Sequence, residues 1–317
     1  MRRALPLLLS LAALHPAPAR AGKQQLWVYT SIYKEYAAPL KVVFERSHPD
    51  IEVQIFQAGS EKLQAKVEAE LAAGRVQADL LITADPFWSQ DLDRRGLLFA
   101  SAQQPATETN RWSAVVLVVH QDLPAALRPV SFKDLAEPRF KNLLQMGSPL
   151  ESGTMFTTVA WLQRKYGWGF FEKLRDNRLA AQGGNSTVLQ KVESGEKKVG
   201  LALLENALAA RKRGSPIEIV YPSEGAIPVP GVLSILKESK QRDAAVAFAG
   251  FLRTRDGQLL LRDGYMYPVL PDLPAVEGGP SLEKLLGPGA AWTPEALREV
   301  AAQAKELKKK FAALILE

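Results

Sequence analysis

The sequence predicts an α/β protein of two lobes joined by two crossover segments, with a ligand cleft between the lobes. Three observations predict it. Strand-like and helix-like stretches alternate over residues 26–83, a second alternating set begins near Ser131, and the chain from Gln241 onward is almost entirely helical. Strands that alternate with helices of this length signal βαβ units and a parallel sheet covered by helices.

Taken in order, residues 26–30 read as a buried strand and 32–46 as a helix. Residues 51–56 form a β-branched, alternating strand, 61–73 a helix and 78–83 a third strand. After a polar loop, the apolar run over 110–119 reads as a long strand. The second set has strands at 143–146, 199–204, 217–221 and 231–237, and helices at 154–166, 169–177, 188–194 and 205–213. Helices at 241–253, 257–263 and 294–313 bring few strands of their own and are expected to pack on the first sheet. The chain then crosses between lobes near 111–119 and returns near 225–235. This places a signal peptide at 1–21, lobe I at 22–112 plus 232–317, and lobe II at 113–231.

The N-terminus supports export. Met1-Arg2-Arg3 is basic, residues 4–14 are apolar, and Ala19-Arg20-Ala21 fits a small-residue cleavage site. An apolar core of 11 residues is short of the roughly 20 that a spanning helix needs. Cysteine is absent, which excludes a lipid-modified cysteine, disulfides and thiolate metal sites. The net charge is +6, and removal of Arg2, Arg3 and Arg20 leaves 37 basic against 34 acidic residues. That surplus is too small and too dispersed for nucleic-acid binding.

Ligands in open α/β sheets bind beyond the carboxyl ends of the strands. Four such places carry hydroxyls or glycines before a helix: Thr30-Ser31, Gly59-Ser60, Ser152-Gly153-Thr154, and Gly183-Gly184-Asn185-Ser186-Thr187. Free N–H groups and the positive end of the helix dipole suit an anion at each. The same residue types are ordinary N-caps, so both roles stay open at this point. Asp85, Glu205, Tyr221 and Glu224 are candidates to accept a ligand hydroxyl or amine, and Tyr33 is an aromatic candidate after the first strand. No cofactor or metal is expected. His48 and His120 lie in no metal-ligand or nucleophile spacing, and there is no G-x-S-x-G or P-loop. A carboxylate pair for glycoside hydrolysis would leave no local signature, and nothing points to one; an enzyme is not expected.

Several segments in order also resemble one family: LWVYTSIYKE from Leu26, AGSEKL from Ala58, ADLLI from Ala78, Gly153-Thr154, VGLALLEN from Val199, VYPSEG from Val220 and GVLSILK from Gly231. Together they resemble the ferric-ion-binding branch of the periplasmic solute-binding proteins of ABC transporters. The resemblance implies the type II periplasmic-binding-protein fold, two hinge strands, ligand capture by lobe closure, and an inner-membrane permease as partner of a monomeric binding protein. Tyr33 matches an iron-ligand slot, but Asn206 is followed by Ala207-Leu208 where iron binders carry adjacent tyrosines. The chain is therefore more similar to relatives for phosphonates and phosphate esters. That similarity implies phosphate contacts at Thr30, Ser31, Ser60, Ser152, Gly153, Thr154, Ser186 and Thr187. Ferric iron or an iron chelate is the alternative ligand, and a periplasmic sensor for a membrane signalling partner is the alternative role.

Overall fold

The computed structural model describes residues 22–288 and 291–317; the expected signal peptide at 1–21 lies outside them. The first unit runs β1 (Gln24–Thr30), α1 (Lys34–Ser47), β2 (Ile51–Gln57), α2 (Ser60–Ala72), β3 (Leu80–Thr83) and α3 (Pro86–Arg94). β1 pairs in parallel with both β2 and β3. α3 was not expected from sequence; Asp85 starts it by accepting the Phe87 and Trp88 N–H groups at 3.0 and 3.1 Å. Pro86 at its first position has no N–H to leave unpaired.

β4 (Glu108–His120) then enters a second unit of β5 (Leu144–Met146), α4 (Gly153–Tyr166), α5 (Trp168–Asp176), β6 (Ala180–Ala181), α6 (Asn185–Glu193), β7 (Val199–Leu203), α7 (Leu204–Lys212) and β8 (Ile217–Val220). β9 (Ile227–Ile235) returns to the first unit, followed by α8 (Arg242–Arg253), α9 (Arg255–Asp263), β10 (Tyr267–Pro268), α10 (Leu282–Leu286) and α11 (Pro294–Phe311). The sheet order is β2-β1-β3-β9-β4-β7-β5-β6, with β8 and β10 also on β4.

Two parallel trios, β2-β1-β3 and β7-β5-β6, are thus joined by one antiparallel pair, β4 and β9. β9 pairs with β3 through Val232–Ile235 and with β4 through Ile227–Leu233. β4 meets β9 along its first half and β7 along Val115–Val119. Each expected crossover is therefore a single continuous strand shared by both sheets.

Each trio has its own core. Phe44 of α1 meets Phe248 and Phe251 of α8 over the first sheet, with ring centroids 4.8 and 5.7 Å apart. Phe132, Phe140, Phe170 and Phe171 fill the second core against β4, β5 and β7. α8 and α9 pack on the first sheet as expected. The last helix, expected with lobe I, touches both units. α11 packs on α3, but Phe311 is fully buried in the second core against Phe171, and Glu299 pairs with Arg164 of α4 at 2.6 Å. The physical reason is its apolar stripe: the N-terminal part meets Phe87, and the C-terminal end reaches past it to α5.

Removing the Phe311 ring should leave a cavity in the second core. Phe311→Ala is expected to lower unfolding free energy by about 3–5 kcal/mol in urea titrations. A loss under about 1 kcal/mol would show that the end of α11 is not docked there.

Candidate functional site

The βα turns of the two units bring helix starts face to face around a cleft of about 250 Å³. α1, α2, α4, α6 and α7 all begin at its wall. Their first-turn N–H groups lack intrahelical partners, so the wall carries several positive dipole ends. Nine of the residues predicted from sequence line it: Ser31, Tyr33, Ser60, Ser152, Gly153, Thr154, Asn185, Ser186 and Glu205. The close approach depends on Gly153, where a Cβ would fall 2.8 Å from the Cβ atoms of Ser60 and Asp85. The Tyr33 hydroxyl spans the cleft to Ser186 Oγ at 3.3 Å.

Five predicted residues are not among those that line the cleft, and local bonding or exposure accounts for each. Thr30 Oγ1 is used within its own turn, accepting the Ile32 N–H at 3.1 Å. Thr187 packs onto Gly183 in the turn before α6. Asp85 is fully buried as the cap of α3; burial pushes its carboxyl up to about 6, against the nearby Lys308 charge. Tyr221 is on the outer surface, 38% exposed. Glu224, half-buried, accepts from the Phe132 N–H at 2.8 Å, the Tyr166 hydroxyl at 2.7 Å and Ser131 Oγ at 3.1 Å, which ties it to the second unit away from the cleft.

Sequence reading missed the residue with the most marked environment. Arg111 lines the cleft although it is only 3% exposed. Burial lowers its guanidinium to about 10, partly offset by Glu205, so it stays charged at neutral pH. Its Nη1 donates to Asn110 Oδ1 at 2.9 Å, while Nε has no partner. Burying a guanidinium with an unmade bond is unfavourable unless something completes it. Room for the side chain comes from Gly231 on β9, which pairs with Arg111 in register. A Cβ there would sit 2.4 Å from Arg111 Cζ. The signal in the sequence was a lone arginine at the entrance of an apolar strand.

Lys62, Ser113 and Tyr36 also line the cleft and were missed. Ser113 stands two residues along β4 from Arg111, hence on the same face, and donates to Glu205 Oε1 at 2.8 Å. Burial pushes the Glu205 carboxyl up to about 7, against downward pulls from the Ser113 bond and the Arg111 charge. Ser31 Oγ and Asn185 Oδ1 are buried without partners. The wall therefore combines unmet donors with unmet acceptors around one buried positive charge. Among the described residues there is no group of three or more His, Cys, Asp or Glu side chains that could hold a metal ion, and no helix is long and apolar enough to cross a membrane.

Because burial disfavours charged Glu205, the folded state loses stability as pH rises from the ordinary carboxylate range through about 7. Relative to wild type, Glu205→Gln is expected to gain about 3 kcal/mol between pH 5 and pH 8 in urea unfolding. Parallel pH dependence in the two proteins would show that this carboxyl is solvated.

The fold agrees with comparisons to known proteins. The periplasmic binding protein AfuA of Actinobacillus pleuropneumoniae, solved with fructose-6-phosphate bound, superimposes with a TM-score of 0.81 at 22% identity, over 93% of this chain and 99% of that one. Iron-bound HitA from Pseudomonas aeruginosa gives 0.77 at 20% identity, over 91% and 99%. A periplasmic protein of Salmonella paratyphi A, named for 2-aminoethylphosphonate binding, is 24% identical over 201 residues, 57% of this chain and 59% of its own. The chain thus spans little more than half the length of that relative. The family model for bacterial extracellular solute-binding proteins matches residues 27–266, and the protein belongs to that family.

Proposed function

We propose that the protein is the periplasmic substrate-binding component of an ABC transporter, capturing a small phosphorylated or phosphonate organic anion and presenting it to a membrane permease. The observation that carries the ligand class is Arg111, a buried guanidinium with an unpartnered Nε, in the wall of a cleft ringed by hydroxyls and helix starts. A phosphoryl group supplies what that wall lacks: several acceptor oxygens and negative charge, matched to the guanidinium fork. The fructose-6-phosphate in AfuA and the phosphonate in the name of the Salmonella relative support the same class.

Capture would proceed by bending of β4 and β9 between lobe I, built on 22–112 and 232–288, and lobe II, built on 113–231. A ligand that bridges α1 and α2 on one side and α4 and α6 on the other binds the closed form better, and so shifts the population toward closure. The permease then reads the closed form. In this reading the protein works as a monomer without cofactor or catalysis.

Iron-bound HitA favours a second reading, ferric iron held by phenolates. Tyr33 is in the cleft, but Ala207 and Leu208 occupy the positions after Asn206. Burial pushes the phenol of Tyr36 up, away from the phenolate that iron would need.

A thermal-shift series with fructose-6-phosphate, 2-aminoethylphosphonate, fructose and ferric citrate separates the readings. A phosphorylated compound at 100 times its Kd should add about 2.7 kcal/mol, the dephosphorylated one nothing. Arg111→Gln should weaken phosphorylated ligands roughly 10–100-fold, the worth of a charged hydrogen bond. Stabilisation and a visible absorption band with ferric citrate alone would establish the iron reading instead.

A further inference from the structure

Beyond Tyr33 and Ser186, the cleft is adjoined by a second chamber of about 240 Å³ between the start of α1, α6 and α7. Tyr33, Tyr36 and Ser186 line both spaces. Two of these shared residues, Tyr33 and Ser186, are joined by one long hydroxyl contact of 3.3 Å. Two successive residues of α7 serve the two sides. Glu205 lines the cleft, and Asn206, about 100° further round the helix, lines the chamber.

The side-chain oxygen of this lining residue, Asn206 Oδ1, is buried with no partner. An amide oxygen in that condition calls for a donor. The chamber's charges are mixed, from Glu35, Glu193 and Arg213, and Glu193 already accepts from Ser215 Oγ at 2.6 Å. A second anion gains little from such a balance, whereas a neutral group rich in hydroxyls finds acceptors on several sides.

We infer that the ligand is a phosphorylated polyol whose head lies against Arg111 and whose neutral, hydroxyl-bearing tail passes between Tyr33 and Ser186 into this chamber, donating to Asn206. The inference rests on the anion reading of the cleft. It adds that the organic tail, not the phosphoryl group alone, is recognised, and that Asn206 is a specificity-determining residue.

Calorimetric titration with fructose-6-phosphate and with methylphosphonate, which has a comparable head and no hydroxyl tail, tests it. Asn206→Leu should weaken fructose-6-phosphate about tenfold or more and leave methylphosphonate within about twofold. Asn206→Asp, which keeps the acceptor, should retain most of the fructose-6-phosphate affinity. An unchanged melting temperature in both variants would show that the fold is intact. Fructose-6-phosphate binding that survives Asn206→Leu, or an equal loss for both probes, overturns the chamber while the Arg111 site stands. Failure of wild type to bind either probe overturns the anion reading itself, and this inference with it.

Discussion

The antiparallel pairing of β4 with β9 is the constraint on which the remaining structure depends. It is the middle of three antiparallel pairings on the path from β3 through β9 and β4 to β7, and each trio is anchored to it through main-chain hydrogen bonds. Parallel strands present their helix starts at one edge. Joining two parallel trios through this seam turns those edges toward each other. The same register sets Arg111 across from Gly231, which gives a long cationic side chain space it would otherwise lack. One pairing thus fixes both the shape of the cleft and its charge.

The electrostatics of the cleft follow from burial more than from ion pairing. Arg111 and Glu205 face the same space but form no ion pair within 4 Å, and desolvation is the largest influence on each, in opposite directions. A guanidinium whose pKa stays far above neutrality keeps its charge, whereas a carboxyl raised to about 7 is readily neutralised. Helix starts add partial positive charge at fixed positions without desolvating another full ion. The balance leaves one full positive charge at the cleft wall, with Glu205, Ser113 and Asn185 as polar groups lining the same space.

α11 adds a tie outside the seam. Lys308 pairs with Glu61 of α2 at 2.7 Å, and its ammonium lies 4.5 Å over the Phe156 ring of α4. Trp292 packs edge-on against Phe87 of α3 and Trp161 of α4, each at 5.1 Å, and its Nε1 donates to the Pro228 carbonyl of β9 at 3.0 Å. Both lobes therefore bury apolar surface against one C-terminal helix. Aromatic burial of this kind supplies about 1.5–3 kcal/mol per side chain, far more than the partly exposed ion pairs beside it.

By itself the sequence determined the βα alternation, because hydrophobic periodicity and turn residues act over a few positions. It also marked the four hydroxyl- and glycine-rich helix starts, since a helix terminus must satisfy its own N–H groups locally. Only the tertiary structure decided which of those residues meet. Ser60, Gly153 and Ser186 come together because strands far apart in sequence share a seam, while Tyr221 and Glu224, in an equally suggestive segment, face elsewhere. Arg111 shows the limit most plainly. In sequence it is one charge at the edge of an apolar run. Its burial, its unmet Nε and its seat on Gly231 arise from long-range strand register, which no local pattern encodes.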